Sequence, residues 1–435
     1  MPTRIGKWKR DVAIIGAGYT PFGSVLETPE IKGMTYRELL SEAALEALKN
    51  AGITPKEVDS LLVAHYQSET VKTQSTHAVA AEWLGLKTKP SVKYETACSS
   101  GASGARLACS LIASGLDDIV LVTGAEILNS VIDEDKEYRR QPAQRVPIDP
   151  AFQFDIVSNG FDQAYFQPIA FNLLGGLSSF PILAYAKKYG LTIDQVDDAQ
   201  SAAAISLRRN AARNPKAYHR KEYKNIAKEA GFNDVMEYMR SSKYNPFVSW
   251  PVRTSHLYSV ADGGAALIFC ADEVAKEYTN KPLVNVEGVG LAAGLPYAKD
   301  PLNIPSEQSA LKQAYTMADL DPKEIEYMSF HDCMVHQHIT ATEMAGYFAP
   351  GEAWKAIIEG RTAFDGDKPI NTHGGCPSMG NTYDVSGIAE IAEAVKQMRG
   401  ECGARQINPP PRVSVCHALG SGPTFGVTVL RRRNG

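Results

Sequence analysis

The segment Thr96-Ala97-Cys98-Ser99-Ser100-Gly101 sets a cysteine between two patterns of different period. Upstream, Ser91 to Glu95 alternates as a strand does; downstream, Gly101 to Ala113 has helical spacing and is rich in glycine and alanine. This predicts a sharp strand-to-helix turn with Cys98 at or beside a helix N-terminus. Free N–H groups and the helix dipole there favour thiolate over thiol, and a thiolate is a nucleophile. Most free cysteines are simply buried small apolar groups. The small residues Ser99, Ser100, Gly101, Ala102 and Gly104, which leave room above the sulfur, set this one apart.

The second half supplies further candidates. His331-Asp332-Cys333 directly follows a strand, Tyr327 to Phe330, at the strand end where α/β sites gather. Asn371-Thr372-His373-Gly374-Gly375 and Gly380-Asn381-Thr382-Tyr383-Asp384 form a loop before a long helix, Ser386 to Met398. Cys416-His417 lies in a final hairpin. Lone histidines are commonly satisfied core or surface groups, so His373 and His417 rank below Cys98. His336 and His338 read as structural. No histidine or cysteine spacing matches a zinc pattern, so no metal is expected in this chain.

The elements that must position these residues recur. Ala47 to Val58 ends a helix and leads into a strand through Thr54-Pro55-Lys56-Glu57; Ala314 to Ile325 does the same through Asp321-Pro322-Lys323-Glu324. Each follows a glycine-containing strand, Val12 to Gly18 and Val284 to Gly290, and each precedes a buried-looking one, Leu61 to Ala64 and Tyr327 to Phe330. Tyr258 to Phe269 and Val415 to Leu430 share a small-residue character. Two related α/β halves result. The helix after Cys98 then corresponds to the helix from Ser386, so their preceding loops should face each other. Gly16-Ala17-Gly18 lacks the third glycine and the downstream acid of a dinucleotide site. Residues 126–250 have no counterpart in the second half and read as a cap. The expected boundaries are 1–125 for the first part of the N-terminal half, 126–250 for the cap, 251–280 for the closing strands of the first half, and 281–435 for the C-terminal half.

Bulk properties remove several functions. A net charge of −4 argues against nucleic acid as the main partner. The clusters Arg208-Arg209, Arg220-Lys221 and Arg431 to Arg433 read as solvated faces, with contact to nucleotide-like phosphates as the alternative. Seven cysteines without a CxxC pair fit neither a disulfide framework nor a zinc site, which points to a reducing, cytoplasmic setting. The apolar run after Arg10 is too short for a signal peptide, and no stretch has the length of a membrane span, so a soluble protein is expected.

Taken together, Thr96 to Gly101, His331-Asp332-Cys333, Asn371 to Gly375 with Gly380, Asp262-Gly263-Gly264-Ala265 and the Cys416 hairpin resemble the thiolase superfamily, closest to its sterol-carrier-protein type and the archaeal and bacterial relatives. The resemblance runs from Asp11 to Leu430. It implies a thiolase fold, with duplicated halves in a five-layered αβαβα arrangement, an inserted cap over a coenzyme A channel, and a homodimer core. It implies coenzyme A as a substrate, and an acyl-CoA whose carbonyl is attacked by Cys98. His331 would stabilise the oxyanion and Cys416 would move protons. Tyr258, Gly375, Gly380, Tyr383 and Gly420 would line the substrate and coenzyme A pocket. Two departures stand out. Gly380-Asn381-Thr382 occupies the place of the usual GHP, as in the β-ketoacyl synthase III group, which makes Cys98, His331 and Asn381 the expected set. Cys416-His417-Ala418 replaces the usual Cys-x-Gly, and His417 is expected to restore some basicity.

The leading reaction is thiolytic cleavage of a 3-oxoacyl-CoA or its reverse. The bulky loops at 152–171 suggest a large or aromatic acyl group, such as a benzoylsuccinyl type. Thiolase-like side-chain aldolases use tyrosines instead, for which Tyr258, Tyr383 and Asp384 would serve; a non-catalytic scaffold is the third reading. The intact cysteine elbow disfavours both. Relatives of this subgroup often work with a small partner that combines a zinc ribbon and an OB fold.

Overall fold

A computed structural model of the chain describes residues 6–66, 75–129, 173–294, 300–420 and 424–433. The strands are β1 (Val12–Tyr19), β2 (Ser60–Ala64), β3 (Ser91–Tyr94), β4 (Ile119–Glu126), β5 (Phe247–Ser249), β6 (Val252–Arg253), β7 (Gly263–Ala271), β8 (Val284–Ala293), β9 (Tyr327–Phe330), β10 (Val413–Gly420) and β11 (Thr424–Arg432). The helices are α1 (Tyr36–Ala51), α2 (Thr76–Trp83), α3 (Ser100–Ser114), α4 (Leu173–Tyr189), α5 (Ile193–Ala211), α6 (Tyr223–Glu229), α7 (Val235–Ser241), α8 (Asp272–Tyr278), α9 (Pro305–Ala318), α10 (Gln337–Met344), α11 (Ala353–Ile358), α12 (Gly375–Ser378) and α13 (Asp384–Arg399).

Nine strands run in the order β3-β2-β4-β7-β1-β8-β11-β10-β9. The order is a near-palindrome: β1, β7, β4 and β2 on one side answer β8, β11, β10 and β9 on the other. The halves meet at β1 and β8, which share only the pairs Ala13–Asn285 and Ile14–Val284. Helices α3 and α13 pack on each other and on strands of both halves, α1 packs on the outer face of the first half-sheet, and α9 packs on that of the second. The layers are therefore α, β, α, β, α, as the resemblance implies. Three large apolar clusters fill the spaces, one central and two outer.

The repeated motifs have physical causes. A Cβ at Gly16 or Gly18 would come within 2.3 or 2.6 Å of the Ala47 or Ala43 carbonyl oxygen of α1. A Cβ at Gly288 or Gly290 would come within 2.2 or 1.8 Å of the Ala314 or Ala310 carbonyl of α9. These glycine pairs let a helix backbone lie directly on a strand, which excludes a dinucleotide role for Gly16-Ala17-Gly18. The Pro-Lys-Glu repeats are 3₁₀ turns with capping boxes: the Thr54 N–H donates to Glu57 at 2.8 Å and the Asp321 N–H to Glu324 at 3.1 Å.

The described part of the 126–250 region includes α4 to α7, and α5 lies on the loop that precedes α13. Asn214 donates to the His373 carbonyl at 3.0 Å, Arg208 Nε to Ser378 Oγ at 3.0 Å, and the backbone N–H groups of Tyr218 and His219 to the carbonyls of Met379 and Ser378. The aromatic loops at 152–171 lie outside the described residues. The basic clusters are spent on protein partners: Arg209 on Asp365, Arg220 on Glu30, Arg431 on Glu324 and Arg433 on Asp11.

Candidate active site

Cys98 sits in a 3₁₀ turn, Ala97–Ser99, that runs straight into α3. Ala97 has a φ of 48°, a left-handed conformation uncommon for a residue with a Cβ. The turn is held from both flanks. The Ala97 N–H donates to Glu95 at 2.7 Å, the Thr96 N–H donates to Ser100 Oγ at 2.9 Å, and Ser99 Oγ donates to the Thr96 carbonyl at 2.8 Å. The sulfur-bearing residue is buried.

Helix α13 crosses α3 at a glycine pair. A Cβ on Gly101 would lie 2.2 Å from the Gly387 carbonyl oxygen, and one on Gly387 would lie 2.7 Å from that of Cys98. The crossing brings the loop before α13 to the elbow, as the internal repeat predicts. Tyr383 precedes α13 with a φ of 49°, the same sign as Ala97 before α3. Its ring meets Tyr66 edge-on, with centroids 5.5 Å apart, and Tyr258 at 6.4 Å. The hydroxyls of Tyr258 and Tyr383 share a hydrogen bond. Burial pushes all three phenols up, Tyr66 to about 12, and the charge of Cys98 adds to each. Tyr66, just beyond the end of β2, was not among the sequence candidates. Its position after a buried strand was the available signal.

His331 follows β9 and has no solvent exposure. Its ring is held by Glu390, on α13, with Nδ1 3.1 Å from Oε1. Cys376 Sγ lies 3.4 Å from the same nitrogen and 3.9 Å from Nε2. Burial opposes a charged imidazole, but the sulfurs of Cys376, Cys98 and Cys333 together hold His331 well above its ordinary range. Burial pushes Glu390 up to about 7, against the pull of His331. Asn371 fixes the preceding residue: its side chain accepts from the Phe330 N–H and donates to the Phe330 carbonyl, both at 2.8 Å. Asp332 accepts from the Cys376 N–H at 2.6 Å and pairs with His338 at 2.8 Å, which makes His338 structural as expected. Gly375 gives this carboxylate its room, since a Cβ there would be 2.2 Å from Asp332 Oδ2. Glu390 and Cys376 were missed by sequence reasoning, because neither belongs to a local motif with the histidine it serves.

Asn381 is buried, and its side-chain oxygen accepts from the Tyr383 N–H at 3.0 Å and from Ser386 Oγ at 3.2 Å. These two bonds fix the orientation of the amide. Its backbone pairs with Ser259 and Ala261 beside Tyr258. Gly380, with a φ of 113°, packs on Ala261. Gly420 packs on the Thr96 carbonyl, two residues from the nucleophile candidate.

Cys416 and His417 do not act together. Neighbours on a strand point to opposite faces. Cys416 joins the central core, with Sγ 4.0 Å from the Glu390 carbonyl oxygen. His417 faces the outer layer, with Nε2 3.1 Å from Glu307 in poor hydrogen-bond alignment. The expectation that His417 restores basicity beside Cys416 is corrected on this ground.

Asp384, the first residue of α13, is buried, and neither oxygen accepts a well-aligned hydrogen bond; Ser100 is its nearest donor. Burial, then Glu126, Glu95 and Cys98, hold this carboxyl well above the usual range. The ligand atoms of His331, Cys376 and Glu390 lie within 4.8 Å of one another, close enough to share a cation, but they already satisfy each other directly.

A duplicated five-layered fold with a cysteine elbow at the crossing of its two central helices defines a class of acyl-transfer enzymes. The thiolase N-terminal domain matches residues 12–165 and the thiolase C-terminal domain-like family matches 295–432; the chain belongs to the thiolase superfamily, and with it to the acyltransferases. It is 29% identical over 428 residues to an acetyl-CoA acetyltransferase of Methanothermobacter thermautotrophicus, covering 97% of this chain and 100% of that one. It is 26% identical to the benzoylsuccinyl-CoA thiolase subunit BbsB of Thauera aromatica, covering 96% of each. Among solved structures, the Ltp2-ChsH2(DUF35) aldolase superposes with a TM-score of 0.73 at 21% identity, covering 97% of this chain and 98% of that one.

Proposed function

We propose that this enzyme cleaves or forms a 3-oxoacyl-CoA by Claisen chemistry through an acyl-Cys98 thioester. The observation that carries the reading is the strained Cys98 elbow, whose charge couples to His331 across the interface of the two halves. In cleavage, the Cys98 thiolate adds to the 3-oxo carbonyl. His331 and the Asn381 amide donate to the oxyanion. The C2–C3 bond breaks, and its electron pair leaves as the acetyl-CoA enolate, which takes a proton. Coenzyme A thiolate then displaces Cys98 from the acyl group. Cys416, a thiol on β10 in the central layer, moves the proton on and off coenzyme A or the acetyl-CoA carbon, and the hydroxyls of Tyr258 and Tyr383, held protonated by burial, serve as further donors.

That tyrosine pair also favours a second reading, retro-aldol cleavage of a coenzyme A-linked side chain, with Asp384 as a further acid. The BbsB likeness supports a benzoylsuccinyl-like acyl group. The subunit name of that relative and the DUF35 partner of the aldolase support a small zinc-ribbon and OB-fold partner for this chain. All seven cysteines are free thiols, which suits a cytoplasmic setting.

The deciding experiment compares Cys98→Ser and Tyr383→Phe while following the mass of the Cys98 peptide. Acyl transfer requires that Cys98→Ser abolish turnover and that wild type incubated with acyl-CoA and no acceptor carry an acyl mass at Cys98. Near-normal activity in Cys98→Ser, with Tyr383→Phe inactive, would replace it with the aldolase reading.

A further inference from the structure

A cavity of about 390 Å³ opens between α4, the segment 300–308, α10 and the adjoining ends of β10 and β11 at Leu419 and Phe425. Two walls tie it to the site above. Met334 lines it and follows Cys333 directly; Gln337 lines it and accepts from the Cys333 thiol at 3.6 Å and from the Met334 N–H at 3.2 Å. Leu419 lines it and precedes Gly420, which packs on the Thr96 carbonyl. Cys333 and Gly420 thus each link a wall of the cavity to the surroundings of the Cys98 turn.

We propose that this cavity holds the distal part of the acyl group, and that this part is aryl or alicyclic. The inference rests on acyl transfer through Cys98. The volume falls in the range of sites for drug-sized ligands, roughly 300–1,000 Å³, and an acetyl group has no use for it. Two carboxylates on its walls are turned to protein partners: Glu343 accepts from Tyr185 Oη at 2.5 Å and from the N–H groups of Gly351 and Ala353, and Glu307 sits against His417. What remains facing the space is largely apolar and polarisable: Tyr185, Tyr189, Met334, Met344, Leu419 and Phe425. Thioether and aromatic surfaces suit a flat ring, by sulfur–aromatic and edge-to-face contacts. The nucleotide of coenzyme A does not fit here. Lys188 is the single lysine or arginine of the lining, against Asp300, Glu307 and Glu343, so phosphates would meet a net negative wall.

The test uses the full chain and two thioesters, acetyl-CoA and 3-phenylpropanoyl-CoA. Each can exchange with the enzyme: Cys98–SH attacks the thioester carbonyl, the bond to the coenzyme A sulfur breaks, and free coenzyme A and acyl-Cys98 result. Intact mass gives the thioester concentration for half-maximal loading. Ala341→Phe fills the floor of the cavity and Gln308→Trp closes its exposed rim. The expected result is a shift of at least tenfold for the phenylpropanoyl ester, with acetyl loading within twofold of wild type. The acetyl arm reports that each variant is folded, and the surface position of Gln308 guards against loss of Ala341→Phe to misfolding. Equal shifts for both esters, or none for either, would overturn the assignment while leaving acyl transfer standing. No loading of the wild type by either ester would overturn acyl transfer itself, and this inference with it.

Discussion

His331 Nδ1 lies 3.1 Å from Glu390 Oε1, with both side chains out of water, so a carboxylate on the central helix α13 orients the imidazole that follows β9. A carboxylate there holds the proton on Nδ1 and stabilises the imidazolium. The donor form of His331 is lost as pH rises through its own raised pKa. Removing the Glu390 charge lowers that pKa, so the alkaline limb of kcat/KM moves to lower pH. For Glu390→Gln we expect a move of about one pH unit, and on the limb a loss of about tenfold. An unchanged limb would show that Glu390 only fills space.

Cys98 should be the first thiol to react. Its turn sets it at the head of α3, where free N–H groups and the helix dipole favour thiolate; burial pushes Cys270 up to about 12 and Cys109, Cys333, Cys376, Cys402 and Cys416 likewise upward. Only the thiolate alkylates at a useful rate. Brief iodoacetamide treatment and peptide mapping should find label on the Cys98 peptide before any other; faster labelling of Cys109 or Cys270 contradicts the elbow.

Asp384 makes stability depend on pH in the unusual direction for an aspartate. Its folded pKa is raised, so the unfolded chain loses this proton first as pH rises from about 4. The native state therefore loses stability relative to the unfolded one through that window, until pH reaches the raised value. Asp384→Asn cannot ionise. Its Tm should gain on wild type as pH rises above about 4, and a pH-independent difference would place a charged carboxylate at this position instead.

Gly290→Ala tests the close strand–helix approach. Its Cβ would begin 1.8 Å from the Ala310 carbonyl oxygen, so α9 must move off the sheet. Overpacking of this kind costs about 1–3 kcal/mol. Urea unfolding should show a lower midpoint, and a wild-type midpoint would mean that the helix floats freely on β8.

Strand β3 ends the sheet and, among the described residues, pairs only with β2; Val92 on it is 53% exposed. An edge with unpaired backbone groups is an invitation to a second copy. Light scattering should give a dimer, and Val92→Lys should shift the mass toward monomer. Monomer at every wild-type concentration would refute the homodimer.

Local order was legible in the residues themselves. Hydrophobic period, the glycines and the two Pro-Lys-Glu turns locate strands and helices within a few residues of where they lie, since each depends on neighbours along the chain. The helix read from Ser386 begins two residues earlier, at Asp384. The cysteine elbow was legible for the same reason: strand, turn and helix are contiguous. The near-palindromic strand order follows from the duplication. What needed the tertiary structure was every relation between the halves. Glu390 serves His331 from 59 positions away, and Cys376 reaches it from 45. Tyr66 meets Tyr383 because two glycines let α3 and α13 cross closely. Cys416 and His417 are neighbours in sequence and were read as a pair; strand geometry sends one to the central layer and the other to the outer one. A sequence specifies which residues are present and their local period, but which buried acid faces which base depends on the packing of layers that meet only after the chain has folded.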